Sequence, residues 1–191
     1  MSPLPFRSRS AFRGLILTVL ALPLLGLIGC LDVPLGDPEN SKVDDRLIGA
    51  WEEADGGEIL VATRFDNRAY LVTVYKSDAN SVRPTGEMYK AWITPLGDQQ
   101  FITLAPLTPT VAFGGEKPTY PVAKWKLDGD TLTARGVDPE FAKPATTPEA
   151  LAKLLLENLN NPKAFVDKDN IYRRATAARM QQIVQASTKP S

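Results

Sequence analysis

The stretch at residues 122–137 reads VAKWKLDGDTLTARGV and carries the clearest strand pattern of the chain. Its apolar positions are Ala123, Trp125 and Leu127, and the positions between them are Lys124 and Lys126. This period of two residues predicts a strand with one buried face and one solvated face. Asp128-Gly129-Asp130 is a strong hairpin signal, so a second strand is predicted over residues 131–137.

Similar short segments lie on the N-terminal side, and turn residues separate them. They cover residues 47–53, 58–65, 69–76, 87–94 and 99–105. Tight turns between successive segments predict adjacent antiparallel strands. Residues 106–121 contain too many prolines and glycines for a strand or a helix, so a loop is predicted there.

The period changes beyond residue 140. Thr147 and Pro148 supply a helix cap and a first-turn proline, and leucines follow at helical spacing, namely Leu151, Leu154, Leu155 and Leu159. The pattern predicts an amphipathic helix over 148–159. Residues 170–174 are predicted as a last strand. Residues 176–191 are predicted as a C-terminal tail, either a weak helix or frayed.

Seven or eight antiparallel strands leave exposed sheet edges unless the sheet closes on itself. We therefore predict a mainly β fold, a seven- to eight-stranded antiparallel barrel over residues 46–175 with one late amphipathic helix.

Leu47-Ile48-Gly49-Ala50-Trp51 opens the first strand and resembles the Gly-x-Trp motif of lipocalin-like (calycin) barrels. The resemblance implies that Gly49 and Trp51 help to close one end of the barrel. It also implies that a basic residue of the last strand, Arg173 or Arg174, packs across the tryptophan, and we assign Arg173. The chain departs from that family because its helix precedes the last strand and the usual cysteine pair is absent.

The N-terminus has the pattern of an export signal. Arg7, Arg9 and Arg13 precede an uncharged run of 18 residues over 14–31. This length is at the lower edge of a membrane span, but a basic start followed by an apolar core and small residues is typical of a secretory signal. We expect residues 1–29 to be the signal peptide.

Leu27-Ile28-Gly29-Cys30 resembles the bacterial lipobox. The resemblance implies cleavage between Gly29 and Cys30, transfer of diacylglycerol to the Cys30 sulfur, and acylation, for example by palmitate, of the new N-terminus. Because Leu31 follows the cysteine, the sorting rule of such lipoproteins implies an outer-membrane location facing the periplasm. Two alternatives stay open: an ordinary signal with an incidental cysteine, and a single-span anchor.

Residues 30–45 are polar, contain two prolines and show no sustained period, so we predict a lipidated N-terminus followed by a flexible tether. The whole chain carries 22 basic and 22 acidic side chains. Without the three signal arginines, 19 basic side chains remain against 22 acidic ones, which gives no electrostatic basis for binding nucleic acid.

The chain has no histidine and one cysteine, which excludes the common zinc sites and Ser-His or Cys-His nucleophile pairs. We predict no catalytic residue, metal or cofactor. The acidic pairs Asp44-Asp45 and Glu52-Glu53 cannot converge on one substrate atom, since neighbouring strand residues point to opposite faces, and we interpret both pairs as solvated charge.

Seven aromatic side chains are candidates for the lining of an apolar ligand cavity or for the filling of a solid core: Tyr70, Tyr75, Tyr89, Trp92, Phe101, Tyr120 and Trp125. We therefore expect a lipid-anchored, non-enzymatic envelope barrel that binds a small apolar ligand or a partner protein. The alternative is a structural module of an envelope complex that docks through its outer face, residues 106–121 or the C-terminal helix. A hydrolase that uses carboxylates or Ser and Lys is a third possibility.

Overall fold

The computed structural model describes residues 30–78, 81–107 and 118–188. The strands are β1 (Cys30–Leu31), β2 (Gly49–Glu53), β3 (Gly57–Arg64), β4 (Tyr70–Ser77), β5 (Val82–Leu96), β6 (Gln99–Pro106), β7 (Tyr120–Asp128), β8 (Thr131–Gly136) and β9 (Asn170–Arg174). The α-helices are α1 (Pro139–Ala142), α2 (Pro148–Glu157) and α3 (Ala177–Thr188). Short 3₁₀ turns lie at Pro38–Asn40, Asp45–Leu47 and Pro162–Ala164.

The predicted signal peptide and residues 108–117 of the predicted loop lie outside the described residues. Among the helices of the described ranges, none has the length and hydropathy needed to cross a bilayer.

Strands β2 to β9 form a closed antiparallel barrel, because each strand pairs with two neighbours. The order follows the chain from β2 to β8, and β9 closes the ring between β8 and β2. Trp51 of β2 pairs with Leu60 of β3 on one side and with Arg174 of β9 on the other. The predicted mainly β barrel is therefore confirmed, with eight strands and a helix at Pro148–Glu157.

One strand is longer than predicted. β5 begins at Val82, and its register with β4 shifts between Thr73 and Tyr75. Gly86 lies in the irregular part of β5 with a φ of 82°, a conformation that glycine adopts without steric cost. Such a bulge interrupts the two-residue period, so the first half of β5 left no clear signal in the sequence.

The barrel interior holds alternate side chains from each strand. Trp51, Tyr70 and Tyr172 are its largest buried side chains, each with no more than 3% of its surface exposed. On β7, Ala123 and Leu127 pack into the same core, as the alternation of apolar residues in the hairpin at 122–137 predicted.

A second hydrophobic core lies outside the barrel, over β6 and β7. Phe101 and Val122 are fully buried there beneath Leu151 and Leu155 of α2. Phe165 stacks on Phe101 with the ring centroids 6.3 Å apart. Both faces of β6 and β7 are therefore buried.

Helix α3 covers a third core on the outer face of β2 to β5. Ile183 is buried against Ile59 and Tyr75. Arg179 holds the helix to β2, with 2.7 Å between its Nη2 and the Oε1 of Glu52. The predicted weak helix or frayed tail is thus a docked helix as far as Thr188.

Residues 30–45, predicted as a flexible tether, instead pack along the outside of the barrel. β1 pairs with β7, which places Cys30 opposite Pro121 and buries Leu31. Leu35 is also fully buried. Its carbonyl oxygen accepts hydrogen bonds from Trp92 Nε1, Thr94 Oγ1 and Thr103 Oγ1, at 2.9, 3.2 and 3.0 Å. The prolines and acidic residues of this segment gave it the composition of a linker, so the burial of Leu31 and Leu35 was not predicted.

The barrel has two chemically different ends. The arginine end, where β2 begins and β9 ends, contains Gly49 and Arg174. The acidic end, where β2 ends and β3 begins, contains Glu53 and Glu58.

Candidate functional site

The barrel interior contains an apolar cavity of about 70 Å³. Aromatic walls surround it, formed by Trp51, Tyr70, Trp125 and Tyr172. Inward-facing alanines leave the space between them, namely Ala62, Ala123 and Ala134. The lining is almost wholly apolar, and its one buried donor without a hydrogen-bond partner among the described residues is Trp125 Nε1.

The arginine end is closed by a stack of Arg174 on Trp51. The guanidinium carbon of Arg174 lies 4.3 Å from the centroid of the Trp51 ring. The same guanidinium donates to the carbonyl oxygens of Arg46 and Ile48 and to the carboxylate of Asp130, at 2.9, 3.2 and 2.8 Å. It therefore joins three separate segments of the rim.

This arrangement corrects the assignment of Arg173. Successive residues of a strand point to opposite faces, so only one of the two arginines can reach the interior. Tyr172 and Arg174 point inward, and the side chain of Arg173 is exposed on the outer surface. Because Trp51 of β2 pairs directly with Arg174 of β9, Arg174 is the arginine that packs across the tryptophan.

Gly49 is required by the same contact. Its φ is 136°, in a region that residues with a Cβ rarely adopt, and a Cβ at this position would lie 2.7 Å from Arg174 Nη1. The glycine thus lets the guanidinium approach the backbone of β2 closely.

Two further hydrogen bonds complete the arginine end. Trp51 Nε1 donates to the carbonyl oxygen of Leu47 at 2.8 Å. The Tyr70 hydroxyl accepts from the backbone N–H of Asp44 at 2.6 Å. Burial raises the pKa of Tyr70 to about 12, so the phenol stays neutral at physiological pH.

The acidic end corrects the interpretation of Glu52-Glu53 as solvated charge. Glu52 does lie on the outer face, in its ion pair with Arg179. Glu53 points inward and is only 8% exposed, and Glu58 beside it on β3 is 3% exposed. Each has a carboxylate oxygen, Oε2, with no hydrogen-bond partner among the described residues.

Burial dominates the titration of both carboxyl groups. It raises the pKa of Glu58 to about 7, with Lys76 opposing the shift and Glu53 and Glu87 adding to it. Burial also raises the pKa of Glu53, with Lys168 opposing the shift. Neither carboxylate forms an ion pair with a residue in the described part of the chain. Burial therefore favours the protonated form of both carboxyl groups.

The structure divides the seven candidate aromatic residues between the interior and the outer cores. Tyr70 and Trp125 line the cavity, and Tyr89 lies in the interior near Glu87. The other four lie outside the barrel or at its rim: Tyr75 under α3, Trp92 under Leu35, Phe101 under α2, and Tyr120 beside β1.

The described ranges contain no cluster of three or more acidic or cysteine side chains suited to hold a metal ion. The interior combines a small apolar cavity with two buried carboxyl groups, those of Glu53 and Glu58. Sequence reasoning missed Glu58 because Ile59, Val61 and Leu60 make both faces of β3 apolar, so the pattern does not show which face is inside.

No family model, curated protein sequence or solved structure matches this chain.

Proposed function

We propose that this protein is a lipid-anchored, non-enzymatic envelope protein whose barrel serves to bind a partner protein. The observation that carries the anchor is the Leu27-Ile28-Gly29-Cys30 sequence after a basic start and an apolar run. Its cysteine is the chain's only one and is exposed. Two or three acyl chains on one residue make a persistent anchor, because each buried CH₂ contributes about 0.8 kcal/mol.

Metabolic labelling tests the anchor. Cells that express the full chain are grown with labelled palmitate, and Cys30→Ser is expected to lose the label and to leave the membrane fraction. Lys42→Ser, at an exposed position outside the lipobox, is the matched control and is expected to keep the label. Retention of the label by Cys30→Ser would refute the anchor.

The size of the cavity supports a protein partner over a bulky ligand. Sites for small molecules usually enclose about 300–1,000 Å³, and the cavity here has about 70 Å³. The closure of the arginine end by Gly49, Trp51 and Arg174 supports the resemblance to lipocalin-like barrels. In this chain such a barrel would act as a rigid scaffold and not as a carrier.

Chemical cross-linking in intact membranes, followed by affinity purification of the full chain, tests the partner. The expected result is one reproducible cross-linked protein that is lost with Cys30→Ser, since that variant no longer resides at the membrane. If no cross-linked protein recurs, or if the same one appears with the unanchored variant, the proposal of an envelope partner fails.

The apolar lining favours a second candidate, a small apolar molecule inside the barrel. Native mass spectrometry of the protein purified without detergent exchange tests it. A recurrent added mass that disappears in Ala134→Leu, which would fill the cavity, would support this candidate. A spectrum that shows the protein mass alone would refute a bound small molecule and favour the scaffold function.

A further inference from the structure

Cys30 lies in a short strand that pairs with the barrel wall, and not at the end of a free linker. β1 pairs with the start of β7, with Cys30 opposite Pro121 and Leu31 opposite Tyr120. Leu31 is only 4% exposed and belongs to the outer core over β6 and β7. The main chain is therefore held from the first residue after the cysteine.

A second clamp follows four residues later. The carbonyl of Leu35 accepts three side-chain hydrogen bonds, and Gly36 after it lies with a φ of 69° against Thr94. Leu31 and Leu35 are both fixed to the barrel, and only three residues lie between them, so this segment cannot act as a flexible linker. A flexible linker of n residues would separate its ends by roughly 5–6 Å times the square root of n, and the described segment provides no such linker.

Helix α1 lies next to Cys30. Cys30 and Leu31 share a groove of about 180 Å³ with Pro139, Glu140 and Lys143. We call this surface, formed by Cys30, Pro139, Glu140 and Lys143, the anchor corner. It lies at the acidic end of the barrel, because β7 begins there and β8 leads into α1 at the same end.

The part of the barrel that lies diagonally opposite is the turn between β3 and β4, at residues 65–69. In the ring of eight strands, β3 is four places from β7 in either direction. This turn also lies at the arginine end, one strand length away from the acidic end. Strands β3 and β4 have eight residues each, and a strand of eight residues spans roughly 25 Å.

We propose, on the basis of the lipid anchor argued above, that the anchor corner rests directly on the bilayer surface and that the β3–β4 turn points away from it. The lipid on Cys30 then fixes the orientation of the barrel as well as its location. The arginine end becomes the membrane-distal end, which is presented to partners.

The chain's single cysteine makes the orientation measurable. Lipidation consumes the Cys30 thiol, so a cysteine introduced elsewhere is the one free thiol of the full lipidated chain. Lys143→Cys marks the anchor corner, and Asn67→Cys marks the distal turn. Both positions are exposed, and the pair of Lys143 with Glu140 is on the surface. Each variant carries a thiol-specific fluorophore.

Both labelled proteins are reconstituted into phosphatidylethanolamine and phosphatidylglycerol vesicles that contain a lipid with a nitroxide headgroup. The fluorophore at position 143 is expected to be quenched several-fold more strongly than the one at position 67. As a control, ten Gly and Ser residues are inserted between Cys30 and Leu31. This linker allows a separation of roughly 15–20 Å, so the difference between the two positions is expected to collapse.

Equal quenching at both positions, or stronger quenching at position 67, would overturn the proposed orientation in a chain whose mass shows an intact lipid. An unchanged difference after the linker insertion would overturn it too. A mass without lipid on Cys30 would instead refute the anchor itself, and the orientation with it.

Discussion

The two ends of the barrel hold charge in opposite ways. At the arginine end, the guanidinium of Arg174 has an aromatic face, two carbonyl oxygens and a carboxylate as partners, while it remains in contact with solvent. At the acidic end, Glu53 and Glu58 are more deeply buried, and each retains an unpartnered oxygen.

The charge of Arg174 is thus surrounded by hydrogen-bond acceptors, whereas the carboxyl groups of Glu53 and Glu58 have too few donors around them. The arginine end is built for one permanent charge, so its geometry contributes to stability at every physiological pH. The acidic end is at its most stable when a proton neutralises it, so its contribution depends on pH.

The largest expected effect comes from removal of the ring that supports Arg174. Trp51→Ala is expected to lower the free energy of unfolding by about 3–5 kcal/mol, since it removes a fully buried aromatic side chain and the stack above it. Urea denaturation measures this loss. Trp51→Phe keeps most of the ring and loses the bond to Leu47, so a loss of about 1 kcal/mol is expected. Equal losses in both variants would contradict the importance of the ring.

The second effect concerns the acidic end and its pH dependence. The pKa of Glu58 in the folded chain is about 7, above its value of 4.5 in the absence of burial. A raised pKa stabilises the fold fully below the unfolded value, and this stabilisation is lost as pH rises through the folded value. The wild-type chain is thus expected to lose about 3 kcal/mol between pH 4.5 and pH 8.

Glu58→Gln removes the group that titrates. It is expected to be more stable than the wild type at pH 8, close to it at pH 4.5, and to show a much flatter dependence on pH in urea denaturation. Glu157→Gln, at an exposed carboxyl group on α2, is the control and should keep the wild-type dependence. An undiminished pH dependence in Glu58→Gln would show that the acidic end is not the source.

A smaller loss is expected from Gly49→Ala. An alanine would have to adopt the φ of 136° found at this position, which residues with a Cβ rarely do, and its Cβ would crowd Arg174. Backbone strain of this kind costs about 1–3 kcal/mol. Gly129→Ala is the comparison, since that glycine also has a positive φ but has open space around it. Thermal unfolding should rank Gly49→Ala below Gly129→Ala in stability, and the reverse order would contradict the close approach of Arg174.

The smallest effect separates the two neighbouring arginines. Arg174→Lys keeps the charge but cannot reach three acceptors and stack at once, so a loss of about 1–2 kcal/mol is expected. Arg173→Lys changes an exposed side chain on the other face, and no measurable loss is expected. Equal effects of the two substitutions in urea denaturation would restore the assignment of Arg173.

The sequence predicted correctly those elements whose structure is set by neighbouring residues in the chain. The hairpin around Gly129 was readable because period-two alternation flanks a turn residue, and α2 because Thr147 and Pro148 start it. The pattern predicted only residues 87–94 of β5, because a bulge breaks the period in the first half of that strand. It did not show the burial of Glu58, because an outer core makes both faces of β3 apolar.

Residue type and spacing along the chain were enough to predict most of the strand positions, the late helix, the lack of histidine chemistry and the lipobox-like cysteine. Three features came from the folded chain alone: Arg174 closes the barrel, Glu53 and Glu58 share a buried end, and residues 30–45 lie against the wall. Burial and pairing depend on contacts between segments that are distant in the sequence, so local spacing does not reveal them. Closure of the barrel between β8, β9 and β2 brings those segments together.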